Sequence, residues 1–238
     1  KVLSDKLAGA IVAIDPRTGA IRAIASQPTF DLNFFSQTFR KKQYDNLFLS
    51  SNLPLLSRAF NAYDPGSTWK PVTAIAGMES GKFPASQKLN TVPCILYGSH
   101  CFPEFNKRGF GRIGYEDALR VSSNTFFYQI GVGVGSEALY DAAIKLGFDN
   151  YTGIETVIDE NKGLVGNKKW AAQGRGWGKP GETPWIVEDI ASASIGQSVV
   201  LVTPLQLARA YAVFANGGYL ITPHLVDGQR NWRSAQYL

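Results

Sequence analysis

The stretch Tyr63-Asp64-Pro65-Gly66-Ser67-Thr68-Trp69-Lys70-Pro71 governs how this chain is read. From Ser67 to Glu79 the apolar residues Trp69, Val72, Ile75 and Ala76 recur at helical spacing. Pro71 falls in the first turn, where a missing N–H costs little, and Gly81 follows as a stop. The spacing predicts a helix beginning at Ser67. Residues three apart share a helix face, so the Ser67 hydroxyl and the Lys70 amine lie side by side. A lysine acts as a base only when neutral. A helix N-terminus with partial desolvation disfavours the ammonium form and favours an oxyanion at Ser67, so the pair can supply a nucleophile with a resident base. The plainer alternative is a capping serine followed by a surface lysine, since about one Ser-x-x-Lys is expected by chance in a chain of this length.

Before this stretch, residues Gly9 to Ser26 alternate apolar side chains around Asp15-Pro16-Arg17-Thr18-Gly19 and read as a β-hairpin. Residues 27 to 60 mix aromatics, polar groups and single prolines without sustained period, as loops and short helices do. Beyond it, Ser136 is expected to cap a helix over Glu137-Ala-Leu-Tyr-Asp-Ala-Ala-Ile-Lys-Leu146 before Gly147. Thr203-Pro204 opens another before Gly217, with Thr203 and Gln206 forming a capping box. Residues 148 to 190, rich in Gly, Trp, Lys and Asn, read as long surface loops. No repeat or second hydrophobic block interrupts the chain, so one domain over residues 1–238 is expected.

Composition excludes several classes. The chain has 238 residues, with 45% hydrophobic, 12% aromatic and 18% charged residues, which rules out disorder, collagen and coiled coil. At 26.0 kDa, about 70% of the surface of the unfolded chain can be buried, enough for a real core. No stretch approaches eighteen apolar residues and the N-terminus lacks an apolar signal core, so neither a membrane span nor a secretion signal is visible. The net charge of +5 is spread along the chain, and only Arg40, Lys41 and Lys42 form a run, which argues against nucleic acid. With two histidines, His100 and His224, a tetrahedral zinc site is not expected. Cys94 and Cys101, read alone, could be bridged or free.

A second segment, Arg120-Val-Ser-Ser-Asn-Thr-Phe-Phe-Tyr-Gln129, supplies another hydroxyl, Ser122, and an amide, Asn124, just past a short amphipathic stretch. By itself Ser-x-Asn is weak: Ser50-Ser51-Asn52 repeats it and reads as a loop, and Ser122 could be a turn or cap. Order and spacing change the weight. Tyr63–Pro71 followed by the Ser122-Ser123-Asn124 segment resembles the serine acyltransferase set of β-lactamases and penicillin-binding proteins. The hairpin, Thr152-Gly-Ile-Glu155, and Ser194-Ile-Gly-Gln-Ser198 through Val226 extend the likeness over nearly the whole chain. It most resembles the transpeptidase domain of class B penicillin-binding proteins, of the elongation type called penicillin-binding protein 2.

That resemblance implies an α/β (α+β) penicillin-binding/β-lactamase-like fold, with helices around an antiparallel sheet. It also implies a peptidoglycan D,D-transpeptidase that works through a serine acyl-enzyme and is acylated by β-lactams. Ser67 would be the nucleophile, Lys70 its base and Ser122 a proton relay; Asn124 would hold the donor peptide, and no cofactor or metal is needed. The implied partners are stem peptides, β-lactams, a wall-elongation glycosyltransferase and scaffold proteins, at the periplasmic face of a membrane through an N-terminal anchor outside this chain. In that setting a Cys94–Cys101 bridge is expected, with two unpaired thiols the alternative. A carboxypeptidase of the same fold, or a non-catalytic docking role in a wall-synthesis complex, would keep the same motifs. The absence of a Glu-x-x-Leu-Asn-like acid counts against a class A β-lactamase.

The likeness also has departures. The third motif, Lys-Thr-Gly or Lys-Ser-Gly, has no match in the chain, and Lys162-Gly163 and Lys179-Pro180-Gly181 are no substitutes. The expectation is a chain cut before that motif, lacking the C-terminal strands of the sheet, so that the 238 residues alone do not complete the site. Ser198 stands where relatives carry Gly, and Trp69 where Phe is usual. Phe126, Phe127 and Tyr128 are expected in the core; Trp177 and Trp185 either line the groove or pack.

Overall fold

The structure is a computed structural model that describes residues 8–36, 38, 40–155, 159–175, 179–181 and 184–226. In chain order its elements are β1 (Gly9–Ile14), β2 (Ile21–Gln27), α1 (Lys41–Phe48), α2 (Lys70–Glu79), β3 (Lys88–Thr91), β4 (Cys94–Tyr97), β5 (His100–Pro103) and β6 (Gly111–Gly114). There follow α3 (Tyr115–Arg120), α4 (Asn124–Val134), α5 (Ser136–Lys145), β7 (Leu164–Val165), α6 (Lys168–Ala172), α7 (Val187–Ser194), β8 (Val200–Leu201) and α8 (Pro204–Ala215). Among the described residues the strands pair antiparallel and two by two: β1 with β2, β3 with β6, β4 with β5 and β7 with β8. This is the mixed α/β class expected, and the first hairpin is the one predicted. The chain divides into two compact units, residues 1–62 with 151–162 and 203–238, and residues 63–150 with 163–202.

In the first unit, β1 and β2 pair Ala10 with Ser26 and Val12 with Ile24, and α8 packs on β1. The reversal at Asp15–Gly19 is closed by Gly19 N–H donating to the Asp15 carbonyl at 2.9 Å. Gly19 has φ +83°, and a Cβ there would run into the Thr222 carbonyl, so only glycine fits. Thr203 caps α8 as its sequence predicts: its Oγ1 accepts from Gln206 N–H at 3.0 Å, and its own N–H donates to Gln206 Oε1 at 2.9 Å. Ser50-Ser51-Asn52 lies in a turn, and residues 32–36 and 41–48 are the short helices expected of that region.

In the second unit α4 packs against α2, α5 and α7. Its Phe126, Phe127 and Tyr128 are buried with Phe102, Tyr115, Ala74 and Ile195, so the three aromatics are core residues as predicted. Thr73 Oγ1 on α2 donates to the Ser194 carbonyl at the end of α7 at 2.7 Å. Cys94 and Cys101 form a disulfide across the β4–β5 hairpin, with Cα atoms 5.9 Å apart. The start of α5 differs from expectation. Ser136 is the first residue of α5 and not its cap; Gly135, at φ +89°, ends α4 and begins α5 in one step, a reversal a serine would resist.

Candidate active site

The turn that carries Ser67 is tied down on both sides. Tyr63 and Val202 exchange backbone hydrogen bonds of 2.9 and 2.8 Å, and Gly66 N–H donates to the Gly196 carbonyl at 2.9 Å. The turn itself is 3₁₀ over Gly66–Trp69, so the α-helix starts at Lys70, three residues later than the sequence spacing suggests. The cause is Pro71. It has no N–H to offer the Ser67 carbonyl, which instead accepts from Lys70 N–H. Trp69 is buried against Phe148, ring centroids 4.8 Å apart, and anchors the turn while Ser67 stays exposed at its tip. Gly196 permits the approach: it has φ +71°, and a Cβ would lie 2.5 Å from both the Gly66 carbonyl oxygen and Trp69 Cβ.

Lys70 points inward and is only 1% exposed. Its Nζ donates to the Ser122 carbonyl at 2.6 Å, to Ser122 Oγ at 3.0 Å and to Asn124 Oδ1 at 2.8 Å. The Phe127 ring lies 5.8 Å away. The plain alternative of a surface lysine therefore fails. Burial lowers the Lys70 pKa from 10.5 to about 8, against the opposing pull of the Glu104 charge. An ammonium satisfies all three acceptors. A neutral amine keeps two donors for the two carbonyl oxygens and turns its lone pair toward a hydroxyl.

Ser122 and Asn124 arrive on the link between α3 and α4. Ser122 N–H donates to Leu119 O at 3.1 Å and Ser123 N–H to Ala118 O at 2.9 Å. Ser122 sits at φ +54°, a left-handed conformation that costs a serine about 1–2 kcal/mol. Ser123 caps α4, its Oγ accepting from Phe126 N–H at 3.2 Å. The cap of α4 is thus Ser123, and Ser122 lies in the turn before it. Ser67, Ser122 and Asn124 line a single cavity with Phe105, Ile195 and Gln197, of about 330 Å³, within the range that holds small ligands.

Sequence reasoning missed Phe105, Ile195 and Gln197 on the cavity wall, and also Glu104 behind it. Glu104 is fully buried, and its carboxylate accepts from Ser123, Asn124 and Thr125. Burial alone would raise its pKa, but these hydrogen bonds hold it below the ordinary glutamate value. No spacing rule links position 104 to position 123, so the sequence carried no signal for it. Trp185 packs near Arg175, Cζ 5.8 Å from the ring, while Arg175 pairs with Asp189; Trp177 lies outside the described residues.

A buried lysine hydrogen-bonds to a serine and an asparagine beside a cavity that a second serine lines, and residues 9–237 match the penicillin binding protein transpeptidase domain. The chain belongs to that family. Within it the similarity is to the PBP2/MrdA type. The peptidoglycan D,D-transpeptidase MrdA of Acinetobacter baumannii is 35% identical over 232 residues, covering 94% of this chain and 33% of that protein. PBP2 of Helicobacter pylori, solved in complex with MreC, superposes with a TM-score of 0.88 at 28% identity, covering 96% of this chain and 42% of that one. Pseudomonas aeruginosa PBP2 in complex with WCK 5153 gives 0.85 at 31% identity, covering 97% and 52%. The chain spans about a third of the length of the curated relatives it matches.

Proposed function

We propose that the protein to which this chain belongs is a peptidoglycan D,D-transpeptidase of cell-wall elongation, and that Ser67, Lys70, Ser122 and Asn124 carry its chemistry. The observation behind this reading is the buried Lys70 amine, hydrogen-bonded to Ser122 and Asn124 beside the cavity that Ser67 lines. Neutral Lys70 takes the Ser67 proton as Oγ bonds to the penultimate D-alanyl carbonyl carbon, and the carbonyl π pair moves to oxygen. The Ser67 backbone N–H is one donor to that oxyanion. On collapse the C–N bond breaks, the proton passes from Lys70 through Ser122 to the departing nitrogen, and D-alanine leaves an ester on Ser67. An amine from a neighbouring stem peptide then attacks the ester. Its proton returns through Ser122, the ester C–O bond breaks, and Ser67 regains its hydroxyl. A β-lactam carbonyl enters the same first step and stops at the ester.

Asn124, with its side-chain oxygen on Lys70 and its NH2 group 3.5 Å from the Pro103 carbonyl, holds the donor peptide's backbone amide in this proposal. The wider assignments follow the relatives: a wall-elongation glycosyltransferase and scaffold proteins as partners, and a site at the periplasmic face of the membrane. Among the described residues no helix is long and apolar enough to cross a membrane, so the anchor lies elsewhere in this proposal. The test uses the full-length protein. Fluorescent penicillin followed by peptide mapping must place the label on Ser67, and Ser67→Ala must abolish it. With lipid-linked precursor, cross-linked dimer supports transpeptidation, whereas free D-alanine without dimer identifies a carboxypeptidase. Label on another residue overturns the assignment.

A further inference from the structure

We infer that Glu104 is a positioning residue for the acylation centre: its buried carboxylate fixes the Ser122–Asn124 turn against Lys70. The inference rests on the proposed roles of Lys70 and Ser122. Glu104 follows β5 directly. Its N–H donates to the Pro93 carbonyl at 2.9 Å, and the disulfide at Cys101 braces the same hairpin. The side chain then turns inward beneath the start of α4. Oε2 accepts from Ser123 Oγ at 2.6 Å, Thr125 N–H at 3.1 Å and Thr125 Oγ1 at 2.9 Å; Oε1 accepts from Asn124 N–H at 2.8 Å and from Phe105 N–H at 3.1 Å.

Every one of those partners is a neutral donor, and two are first-turn amides of α4, where the helix end favours negative charge. Two oxygens facing five donors select a carboxylate. A glutamine would turn its NH2 group toward at least one N–H or O–H and leave that pair unsatisfied inside the protein. What Glu104 holds matters because Ser122 occupies the left-handed region, which a serine leaves when nothing restrains it. Fixing Asn124 N–H and Ser123 on one side keeps the Ser122 carbonyl and hydroxyl and the Asn124 oxygen turned toward Lys70 on the other. Glu104 touches no reacting atom.

The same carboxylate is the charge that acts on Lys70. The groups around Lys70 are the neutral Ser122 and Asn124, the Phe127 ring and, at longer range, Glu104. Around Glu104 stand Ser123, Asn124, Thr125, Lys70 and Tyr128, whose hydroxyl is pushed up to about 12 by burial and then by the Glu104 charge. Removing the anion leaves burial unopposed, so the Lys70 pKa falls further.

The test measures acylation of the full-length protein by fluorescent penicillin from about pH 6 to 9.5, together with thermal melts. Glu104→Gln is expected to lower the high-pH plateau rate about tenfold or more and to move the pH midpoint to the acid side of wild type. Glu104→Asp keeps the charge but shortens the reach, so its plateau falls severalfold with the midpoint unmoved. A wild-type plateau in Glu104→Gln overturns the inference, and so does a lowered plateau with an unmoved midpoint, which is the mark of general loosening. If Glu104→Gln shows no cooperative melt, Glu104→Asp decides: a wild-type rate there overturns the inference. Ser67→Ala separates the two levels. Label on Ser67→Ala removes the reading underneath, whereas its loss beside an unaltered Glu104→Gln rejects the role of Glu104 alone.

Discussion

The pH dependence of acylation tests whether Lys70 is the base. With the Lys70 pKa lowered to about 8 by burial, roughly 9% of the amine is neutral at pH 7, half at pH 8 and about 91% at pH 9. If attack by Ser67 requires the neutral amine, the second-order rate of acylation climbs about tenfold from pH 7 to pH 9 and then levels. A lysine at its ordinary value would give a different curve, about a hundredfold rise over the same interval with no plateau below pH 10. The assay is rapid-mix labelling of the full-length protein with fluorescent penicillin, corrected for spontaneous hydrolysis of the reagent at each pH. Lys70→Arg, which cannot become neutral, should lose about 100-fold or more and show no such limb. A wild-type rate that is flat between pH 6.5 and 9.5, or a Lys70→Arg variant that keeps the wild-type profile, refutes the assignment of the base.

The same lysine predicts a stability trend. Its folded-state value lies below its unfolded one, so burying the ammonium costs stability below about pH 8, and that cost fades as pH rises toward 10.5. Melts should therefore show about 1.5 kcal/mol gained between pH 8 and 9.5, absent in Lys70→Met; an unchanged wild-type melting temperature contradicts it. Gly196→Ala forces a Cβ to 2.5 Å from Gly66 O and Trp69 Cβ at a positive φ. It should cost about 2–4 kcal/mol in a melt and slow penicillin labelling, and a variant that melts and labels like wild type contradicts the reasoning. Ser198 at φ +67° carries left-handed strain that glycine lacks, so Ser198→Gly should raise stability by about 0.5 kcal/mol after its larger unfolded-state entropy is counted. A fall in the melting temperature would count against it.

Periodicity and turn chemistry made part of the fold legible. The Asp15–Gly19 reversal, the capping box at Thr203 and the helix after Ser67 follow from local rules, because each is stabilised by atoms within a few residues of one another. The pairing of β3 with β6 was not legible: Leu89 meets Ile113 across a long intervening segment, and four-residue strands carry too little alternation to declare themselves. Ser67 and Lys70 stood out as candidates at helical spacing, but about one such pair is expected by chance in this length, so their reading leaned on the resemblance as well. Ser122 and Asn124 needed the resemblance, since Ser50-Ser51-Asn52 offers the same letters in a turn. What distinguishes the two copies is tertiary: only one has a buried amine in front of it and a carboxylate behind.

That arrangement assigns different work to the three residues of the second motif. Ser122 and Asn124 face Lys70, while Ser123 between them turns its hydroxyl the other way, donating to Glu104 and accepting from Phe126 N–H. A position that must donate and accept at once, with no room for a longer side chain in a fully buried place, admits little but serine or threonine. On the proposed roles, the outer pair is constrained by the reaction and the middle residue by the support beneath it. The left-handed turn at Ser122 is what allows adjacent residues to face opposite sides within so short a segment. Contacts behind the cavity hold that turn, so on the proposed roles a change at Ser123 or Glu104 would reach the lysine without altering the groups assigned to substrate.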